Sequence, residues 1–489
     1  SSSSSFTSAG FQAGISCAAL HASTGSRTLT GTARSNFFRQ RFSSAQAMAT
    51  AEQLGAALDA NDREQLLRLC RRVGSNLTVK TNDGFEESLA HHLAWKPYGL
   101  DCLKVLVERL GPSCLTQARN QYGDAPLHWV AIFQDENSME FIHSRIGAEC
   151  FELKGRYNRS IAFIAAENKR SNSILKWIAR KKGPGFLTAV DSSGDSPVHT
   201  AALRQGSDSM QFFKSLFGPD CFFQKGDLGR TAIHRAALNK SSNSALKWLV
   251  SECGSDSLKE KDDEGNTPIH LAALEQGEDS MQFFKSLFGP DCFFQKGSVG
   301  RTAIHCAAGN ESSNSALKWL VSKCGSDSLL EKDDQGNTPI HWAALFQGSD
   351  SMQFIKEQLG SLVFMLKNLG GETSVHYAAR NESSNSAFAW CIKDLGTKCL
   401  LVKDSSQSLP IHLAAQYQGV DSLRLIKETL GVAAFRLTGH RGQTVAHYAA
   451  ANSEKQQLMA WLVTEVGPRC LVVVDQRGKT AADLAGYYE

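Results

Sequence analysis

The sequence of 489 residues lacks the features that mark several classes of protein. No uninterrupted apolar run approaches the roughly 18 to 20 residues that a membrane-spanning helix requires, so we expect no membrane span. The thirteen cysteines are an odd number and include no Cys-x-x-Cys pair. A disulfide framework is therefore not expected, and a reducing compartment is favoured.

Motifs of familiar catalytic chemistry are also missing. The chain contains no phosphate-binding P-loop, no Gly-x-Ser-x-Gly elbow, no His-Glu-x-x-His helix and no set of kinase signatures. Isolated serine, histidine and aspartate residues occur throughout, but their spacing indicates no catalytic, metal or cofactor site. The sequence therefore predicts a protein that is not an enzyme and that binds no cofactor.

Acidic residues are absent from the first fifty residues, which contain four arginines and are rich in serine. The rest of the chain then holds 48 basic against 49 acidic residues. A dedicated nucleic-acid binder would show a basic stripe instead of this balance. We therefore expect no nucleic-acid partner.

Residues 1–49 are predicted to be disordered, because they lack patterned apolar surface. The segment resembles an organellar transit peptide, and residues 41–44 would suit a processing site. A disordered tail and translation upstream of a true start at Met48 are the alternatives. We expect a cytoplasmic protein, or a mitochondrial or plastid one if residues 1–47 form a transit peptide.

A histidine recurs at a regular interval through the rest of the chain, and this repeat decides the predicted architecture. From residue 163 onward the intervals alternate between 36 and 35 residues, so the underlying unit is a 71-residue pair of modules. Residues 199–269 and 270–340 agree at 60 of 71 positions, which indicates recent duplication. The repeated position is occupied by His91, His128, Phe163, His199, His234, His270, His305, His341, His376, His412, His447 and Asp483.

Each module is predicted to form a turn, a helix, a short turn and a second helix. Residues 262–265 suit a tight turn, Thr267 suits a helix N-cap and Pro268 suits the first helical position. Gly277 is expected to close this first helix. The second helix of the following module is expected to end at Gly325.

These modules resemble those of ankyrin-repeat proteins, whose signature is Gly-x-Thr-Pro-Leu-His-x-Ala-Ala. The resemblance covers residues 50–489, although the modules have 35 or 36 residues against about 33 in the family. The matching segments are GNTPIHLAAL at 265–274, GNTPIHWAAL at 336–345, GDSPVHTAAL at 194–203, GRTAIHRAAL at 229–238, GRTAIHCAAG at 300–309 and GDAPLHWVAI at 123–132.

The resemblance implies an all-α, ankyrin-type helix-turn-helix solenoid with short turn or β-hairpin tips. About twelve modules would occupy residues 50–489, with residues 51–74 as an N-terminal cap and a short cap or truncation at the C-terminal end. It also implies that each histidine is structural, bonded to the adjacent threonine and to backbone between modules. The tryptophans of alternate second helices are expected to pack in the core: Trp177, Trp248, Trp319, Trp390 and Trp461.

Partner recognition is expected on the solvent side of the first helices and at the turn tips, which line the concave surface of similar proteins. Six of the eleven differences between residues 199–269 and 270–340 fall one to eight residues after the histidine. Some of them reverse charge, which would change complementarity, but neutral drift is an equal explanation. Aromatic residues on this face suit interface anchors. The candidate partner-binding residues are Trp129, Phe133, Arg204, Arg235, Glu275, Trp342, Phe346, Tyr377, Tyr417 and Tyr448.

The sequence therefore favours a monomeric, non-catalytic scaffold or adaptor whose protein partners it does not identify. One alternative is a regulatory or substrate-recruiting region of a larger enzyme, with the catalytic domain outside this chain. The chain begins with serine and ends half a module in, which keeps that alternative open. A weaker alternative is a heme-linked or metal-linked sensor.

Overall fold

The structure, a computed structural model, describes residues 44–73, 77–82, 84 and 86–487. Two helices, Ser44–Asp59 and Arg63–Cys70, open this part of the chain. Strands β1 (Thr78–Lys80) and β2 (Glu86–Ser88) follow as an antiparallel hairpin. Most of the segment predicted to be disordered lies outside the described residues, and the first helix begins before that segment ends.

The described chain continues as twelve modules, numbered 1 to 12 in chain order. Modules 1 to 11 each contain two helices joined by a short turn, and module 12 contributes one helix. The first helices are Leu89–Trp95, Pro126–Phe133, Ile161–Ala166, Pro197–Arg204, Ala232–Ala237, Pro268–Glu275, Ala303–Ala308, Pro339–Phe346, Ser374–Ala379, Pro410–Tyr417, Val445–Ala449 and Ala481–Tyr487. The second helices are Gly99–Leu110, Glu136–Ile146, Ser173–Lys182, Ser207–Phe217, Ser244–Cys253, Glu278–Phe288, Ser315–Cys324, Ser349–Leu359, Ser386–Leu395, Val420–Leu430 and Lys455–Glu465.

A short helical turn follows each second helix and leads to the next module. It is the α-helix Glu149–Glu152 in module 2 and a 3-10 helix elsewhere. These 3-10 helices are Pro112–Leu115, Pro184–Leu187, Pro219–Phe222, Ser255–Lys259, Pro290–Phe294, Ser326–Leu330, Ser361–Met365, Thr397–Leu401, Val432–Arg436 and Pro468–Leu471. Further 3-10 turns form the tips of modules 3, 5, 7 and 11, at Arg156–Asn158, Asp227–Gly229, Ser298–Gly300 and His440–Gly442.

Helix ends follow the chemistry that the sequence predicts. Thr267 is an extended N-cap, and Pro268 takes the first helical position, where no backbone N–H is needed. Gly325 ends the second helix of module 7 with a φ of 89°, a conformation that a residue with a Cβ atom rarely adopts. The all-α, ankyrin-type helix-turn-helix architecture is confirmed, with the β1–β2 hairpin as the sheet of the described residues.

First helices alternate in length along the array, which accounts for the 71-residue unit. Even-numbered modules 2 to 10 have first helices of 8 residues that start at proline. Odd-numbered modules 3 to 11 have first helices of 5 or 6 residues without that proline. Two modules of different length therefore form one structural period.

The expectation that Gly277 closes the first helix of module 6 is wrong. That helix ends at Glu275, and Gly277 is instead the N-cap of the second helix. Gln276 takes the closing position because its side chain is used by the neighbouring module. Its Nε2 donates to the carbonyl oxygens of Ala236 at 2.9 Å and Asn239 at 3.1 Å.

Buried amide side chains repeat this link from module to module, and we call the series the amide ladder. Asn239 of module 5, for example, donates from Nδ2 to the carbonyl oxygen of Gln205 in module 4 at 3.0 Å. The last carbonyls of a helix have no partner within the helix, so these amides satisfy them. The ladder consists of Gln134, Asn168, Gln205, Asn239, Gln276, Asn310, Gln347, Asn381, Gln418 and Asn452.

Aromatic pairs tie each even-numbered module to the second helix of the next. Phe293, in the turn after module 6, meets Trp319 edge-on with ring centroids 6.0 Å apart. Trp177 and Trp390 are buried, whereas Trp248, Trp319 and Trp461 are half-buried against the core. The pairs recur every 71 residues as Phe151–Trp177, Phe222–Trp248, Phe293–Trp319, Phe364–Trp390 and Phe435–Trp461.

Candidate functional site

The recurring histidines lie between modules, away from solvent. Nδ1 of His270 accepts hydrogen bonds from the backbone N–H and the hydroxyl of Thr267, at 3.2 and 2.8 Å. The proton of the neutral ring is then on Nε2, which donates to the carbonyl oxygen of Gln295 at 2.9 Å. Burial lowers the pKa of His270. The ring is therefore a structural link between modules.

Aromatic side chains form a first cluster on the solvent side of modules 1 and 2. The ring centroid of Phe133 lies 5.9 Å from that of Trp129 and 6.4 Å from that of Trp95. Trp129 also packs edge-on against His91 at 5.6 Å. Trp129 and Phe133 are half-buried, and Trp95 is 43% exposed. We call these residues the N-terminal aromatic cluster; the sequence did not single out Trp95, which ends its helix.

A second group, the central aromatic cluster, lies on modules 7 to 9. Trp342 and Phe346 stack with ring centroids 6.0 Å apart and an interplanar angle of 6°. The guanidinium carbon of Arg301 lies 3.8 Å from the Trp342 centroid, and Tyr377 meets Trp342 edge-on at 6.1 Å. Trp342 and Tyr377 are buried, whereas Phe346 is half-buried. Phe346 therefore offers ring surface that the other members hold in place.

Polar contacts fix the two buried aromatic residues of the central cluster. The Tyr377 hydroxyl donates to Oδ1 of Asn337 at 2.7 Å, and Trp342 Nε1 donates to Oδ2 of Asp333 at 3.3 Å. Burial raises the pKa of Tyr377 to about 12, so its hydroxyl stays protonated. These bonds pre-organise the cluster, which lowers the entropic cost of binding.

Tyr417 and Tyr448 continue the same face toward the C-terminal end. Both are half-buried. The Tyr448 ring centroid lies 5.0 Å from that of His412, and its hydroxyl is 2.8 Å from the hydroxyl of Ser408. Burial raises the pKa of Tyr448. Tyr448 therefore bonds across a module boundary, and both tyrosines keep part of their surface in solvent.

Charged side chains occupy the first-helix face between the two clusters. Arg235 is buried, and its Nη2 donates to Oδ1 and Oδ2 of Asp195 at 3.0 and 2.8 Å. Glu275 is also buried and pairs with Lys240 at 2.8 Å, while Arg204 is half-buried. Burial raises the pKa of Glu275. Arg235, Glu275 and Lys240 are therefore all committed to ion pairs, and of the three only the Lys240 side chain is exposed.

Four turn tips carry bulky residues in the left-handed region, which the sequence did not predict. Tyr157, Leu228, Val299 and Arg441 have φ between 52° and 57°. The next residue in each turn also has positive φ, which is the pattern of a type I′ turn. Tyr157 is 66% and Val299 is 41% exposed, so apolar surface projects from these tips. The recurrence of a bulky residue at intervals of 71, 71 and 142 residues, with Gly370 at the skipped position, was the available signal.

The described residues also bear on metal binding, membrane insertion and cysteine reactivity. Among the residues that the structure describes, no group of His, Cys, Asp and Glu side chains is arranged to hold a metal ion. No helix in the described ranges combines the length and apolar character needed to cross a bilayer. The described cysteines are free, and burial raises the pKa of Cys306 and of Cys221 to about 12. Thiols of this kind stay protonated and are poor nucleophiles.

Comparison with known proteins identifies a family for the central modules. Residues 198–292 and 273–361 match the family model described as ankyrin repeats (3 copies). No curated protein matches the chain. One similar solved structure is the ankyrin repeat domain of Bcl-3, a member of the IkappaB protein family. Its sequence is 20% identical to this chain and the TM-score is 0.33. The alignment covers 48% of this chain and 98% of the Bcl-3 chain.

The matched residues contain modules 4 to 8, in which the capping residue, the histidine and the two alanines recur. The same arrangement of helices extends beyond them in both directions along the described chain. Residues 198–361 therefore carry ankyrin repeats.

Proposed function

We propose that the protein is a non-catalytic scaffold that binds partner proteins through its first-helix face and turn tips. Ankyrin repeats are generally protein-protein interaction modules. The observation that carries the proposal is the pair of aromatic clusters on one face of the array, separated by charged modules. Interfaces commonly combine aromatic anchors with polar surroundings of this kind.

The residues of this face have different roles in the proposal. Trp129, Phe133 and Phe346 are half-buried anchors whose rings a partner would cover. Trp342 and Tyr377 are buried and act as supports for Phe346. Solvent-exposed charges between the clusters, such as Lys240, would select the partner by complementarity and steer its approach.

A capture experiment with matched variants tests this proposal. The purified protein is immobilised, partners captured from a cell extract are identified, and each is then expressed for quantitative binding. Phe346→Ser and Trp129→Ser should each weaken a partner by about tenfold or more, because anchor truncation commonly costs 2 kcal/mol. Phe346 is preferred to Trp342, since the buried Trp342 also holds the modules together.

Val463→Ser supplies the control, because Val463 is a large apolar residue exposed on a second helix. It should leave binding unchanged, and circular dichroism should show equal helix content in all variants. A partner that loses affinity for the Val463 variant but not for the Phe346 or Trp129 variants would place binding on the second helices instead.

A further inference from the structure

The second helices of neighbouring modules are joined by lysine-carboxylate pairs on the outer side of the array. Three of these pairs connect residues 38 apart in the sequence, a lysine of an even-numbered module and an acid of the next. Lys356 Nζ lies 2.8 Å from Asp394 Oδ1, and Lys427 Nζ lies 2.6 Å from Glu465 Oε2. Lys214 forms the same contact with Glu252.

Two neighbouring pairs of modules lack this contact. In modules 2 and 3 the equivalent residues are His143 and Lys181, and Lys181 pairs with Glu140 instead. Modules 6 and 7 differ in another way. The equivalent positions are Lys285 and Lys323, so two cations occupy the place of an ion pair. Within the described chain, neither lysine forms an ion pair. The duplicated unit keeps Glu252 where this one has Lys323. Like charges at such a contact repel each other, so a bound anion would relieve an unfavourable interaction.

The two lysines lie along a groove of about 500 Å³ between the second helices of modules 6 and 7. The other lining residues are Gln282, Ser286 and Trp319. Trp319 is half-buried, so part of its ring faces the groove. The groove therefore combines two positive charges with an aromatic surface.

A hydrogen-bond donor is also available in this groove. In the equivalent contacts elsewhere, Trp177 Nε1 donates to Glu140 Oε2 at 2.6 Å, and Trp390 Nε1 donates to Gln353 Oε1 at 3.3 Å. Gln282 occupies the position equivalent to Gln353, but Trp319 Nε1 forms no such hydrogen bond among the described residues. An indole N–H and two ammonium groups together suit a carboxylate, which only accepts hydrogen bonds when ionised.

We propose that this groove is a second docking site, which binds an acidic peptide segment of a partner protein. A carboxylate would lie between Lys285 and Lys323, and an adjacent apolar side chain would cover the Trp319 ring. A free phosphate would satisfy the charges but would leave the ring uncovered, so the peptide fits the groove better. The site is on the opposite helices from the proposed first-helix surface and does not depend on it.

The duplication provides a reciprocal test. The residues equivalent to the groove are Gln211, Lys214, Ser215, Trp248 and Glu252, and they differ from it only at the position of Lys323. A labelled peptide of alternating aspartate and leucine is titrated by fluorescence anisotropy. Lys323→Glu should weaken binding by about tenfold, because it replaces an attraction with a repulsion. Glu252→Lys should create a second site of similar affinity.

Controls separate this proposal from other anion binding. A peptide with asparagine in place of aspartate should not bind, and thermal melting should show that both variants fold. Unchanged affinity in Lys323→Glu, or no added site in Glu252→Lys, would overturn the proposal. Displacement of the peptide by inorganic phosphate at equal charge concentration would also overturn it. So would a protein that binds anionic lipid vesicles through Lys323 but does not bind the peptide.

Discussion

At the scale of single residues, the turn tips hold strain that local sequence preferences would avoid. A type I′ turn favours asparagine followed by glycine, because both central residues need positive φ. The protein places Val299 at the first of these positions with a φ of 52°. A bulky L-residue in this region is disfavoured by roughly 1 to 2 kcal/mol. Strain at an exposed apolar residue is consistent with selection for contact with a partner.

Val299→Asn should therefore stabilise the protein by about 1 kcal/mol, since asparagine tolerates the left-handed conformation better. Urea unfolding followed by circular dichroism measures the change. Val432→Asn is the control, because Val432 is similarly exposed but does not have positive φ. If Val299→Asn were neutral or destabilising, the tip would not be strained and its apolar side chain would contribute to folding.

At the scale of helices and their links, stability comes from contacts that cross module boundaries. Gln276 is an example: its amide bonds two carbonyls of module 5, and its Oε1 accepts from the Ser280 hydroxyl at 2.6 Å. All three partners lie where water is excluded, so the loss of this side chain would leave polar groups unsatisfied.

Gln276→Ala should destabilise the protein by about 2 to 4 kcal/mol, because each unsatisfied buried group costs about 1 to 3 kcal/mol. Gln211→Ala serves as the comparison, since Gln211 is exposed on a second helix. Chemical unfolding of both variants gives the two free energies. Equal values would show that water replaces the amide and that the ladder is not a source of cohesion.

The aromatic pair between modules 6 and 7 permits a test at adjacent positions. Phe293 is 0% exposed and meets Trp319, whereas Phe294 is 36% exposed. Phe293→Ala should cost about 3 to 5 kcal/mol through the cavity that it leaves. Phe294→Ala should cost less than 1 kcal/mol by the same unfolding measurement. If Phe294→Ala were the more destabilising change, Phe294 and not Phe293 would be the residue that packs inward in the turn after module 6.

At the scale of the whole molecule, the array behaves as a row of units that each depend on their neighbours. The histidines make this dependence sensitive to pH. Burial lowers the pKa from 6.5 to about 4 for His91, His128, His234, His305, His376 and His412. Their folded forms are neutral at pH 5, whereas an unfolded chain would protonate them.

The protein should therefore lose stability on mild acidification. Above pH 6.5 these histidines do not reduce the free energy of unfolding. As the pH falls toward 4 they reduce it progressively, because the unfolded chain takes up protons that the folded rings do not. Below pH 4 the reduction is complete, because both states are then protonated. At pH 5 each of these histidines should lower the free energy of unfolding by on the order of 2 kcal/mol.

Urea midpoints at pH 7.5 and pH 5 measure this effect, and proton uptake on unfolding at pH 5 gives an independent check. A midpoint that does not change between these two values would mean that the rings are already protonated in the folded array, contrary to their hydrogen bonding.

Local chemistry was sufficient to predict the modules and several of their helix ends, although not the end at Glu275. Thr267 and Pro268 start a helix through their own backbone geometry, and Gly325 ends one for the same reason. The role of Gln276 could not be derived in this way. Its partners lie 37 and 40 residues earlier, and only the packed array brings them together.

The candidate binding residues show the same division. Trp129, Phe133 and Phe346 keep exposed ring surface, whereas Trp342 and Tyr377 are buried by neighbouring modules. Residue type marked all five as possible anchors, but burial depends on what lies in the next module. Their part in binding stays a prediction.

By itself, the sequence determined the module period and the helix-turn-helix plan, because each of these repeats a local pattern many times. The tertiary structure alone decided which charges are paired, which aromatic rings face solvent and where two lysines replace an ion pair. Those properties depend on contacts between modules, and a contact is set by the distance between side chains and not by their order in the chain.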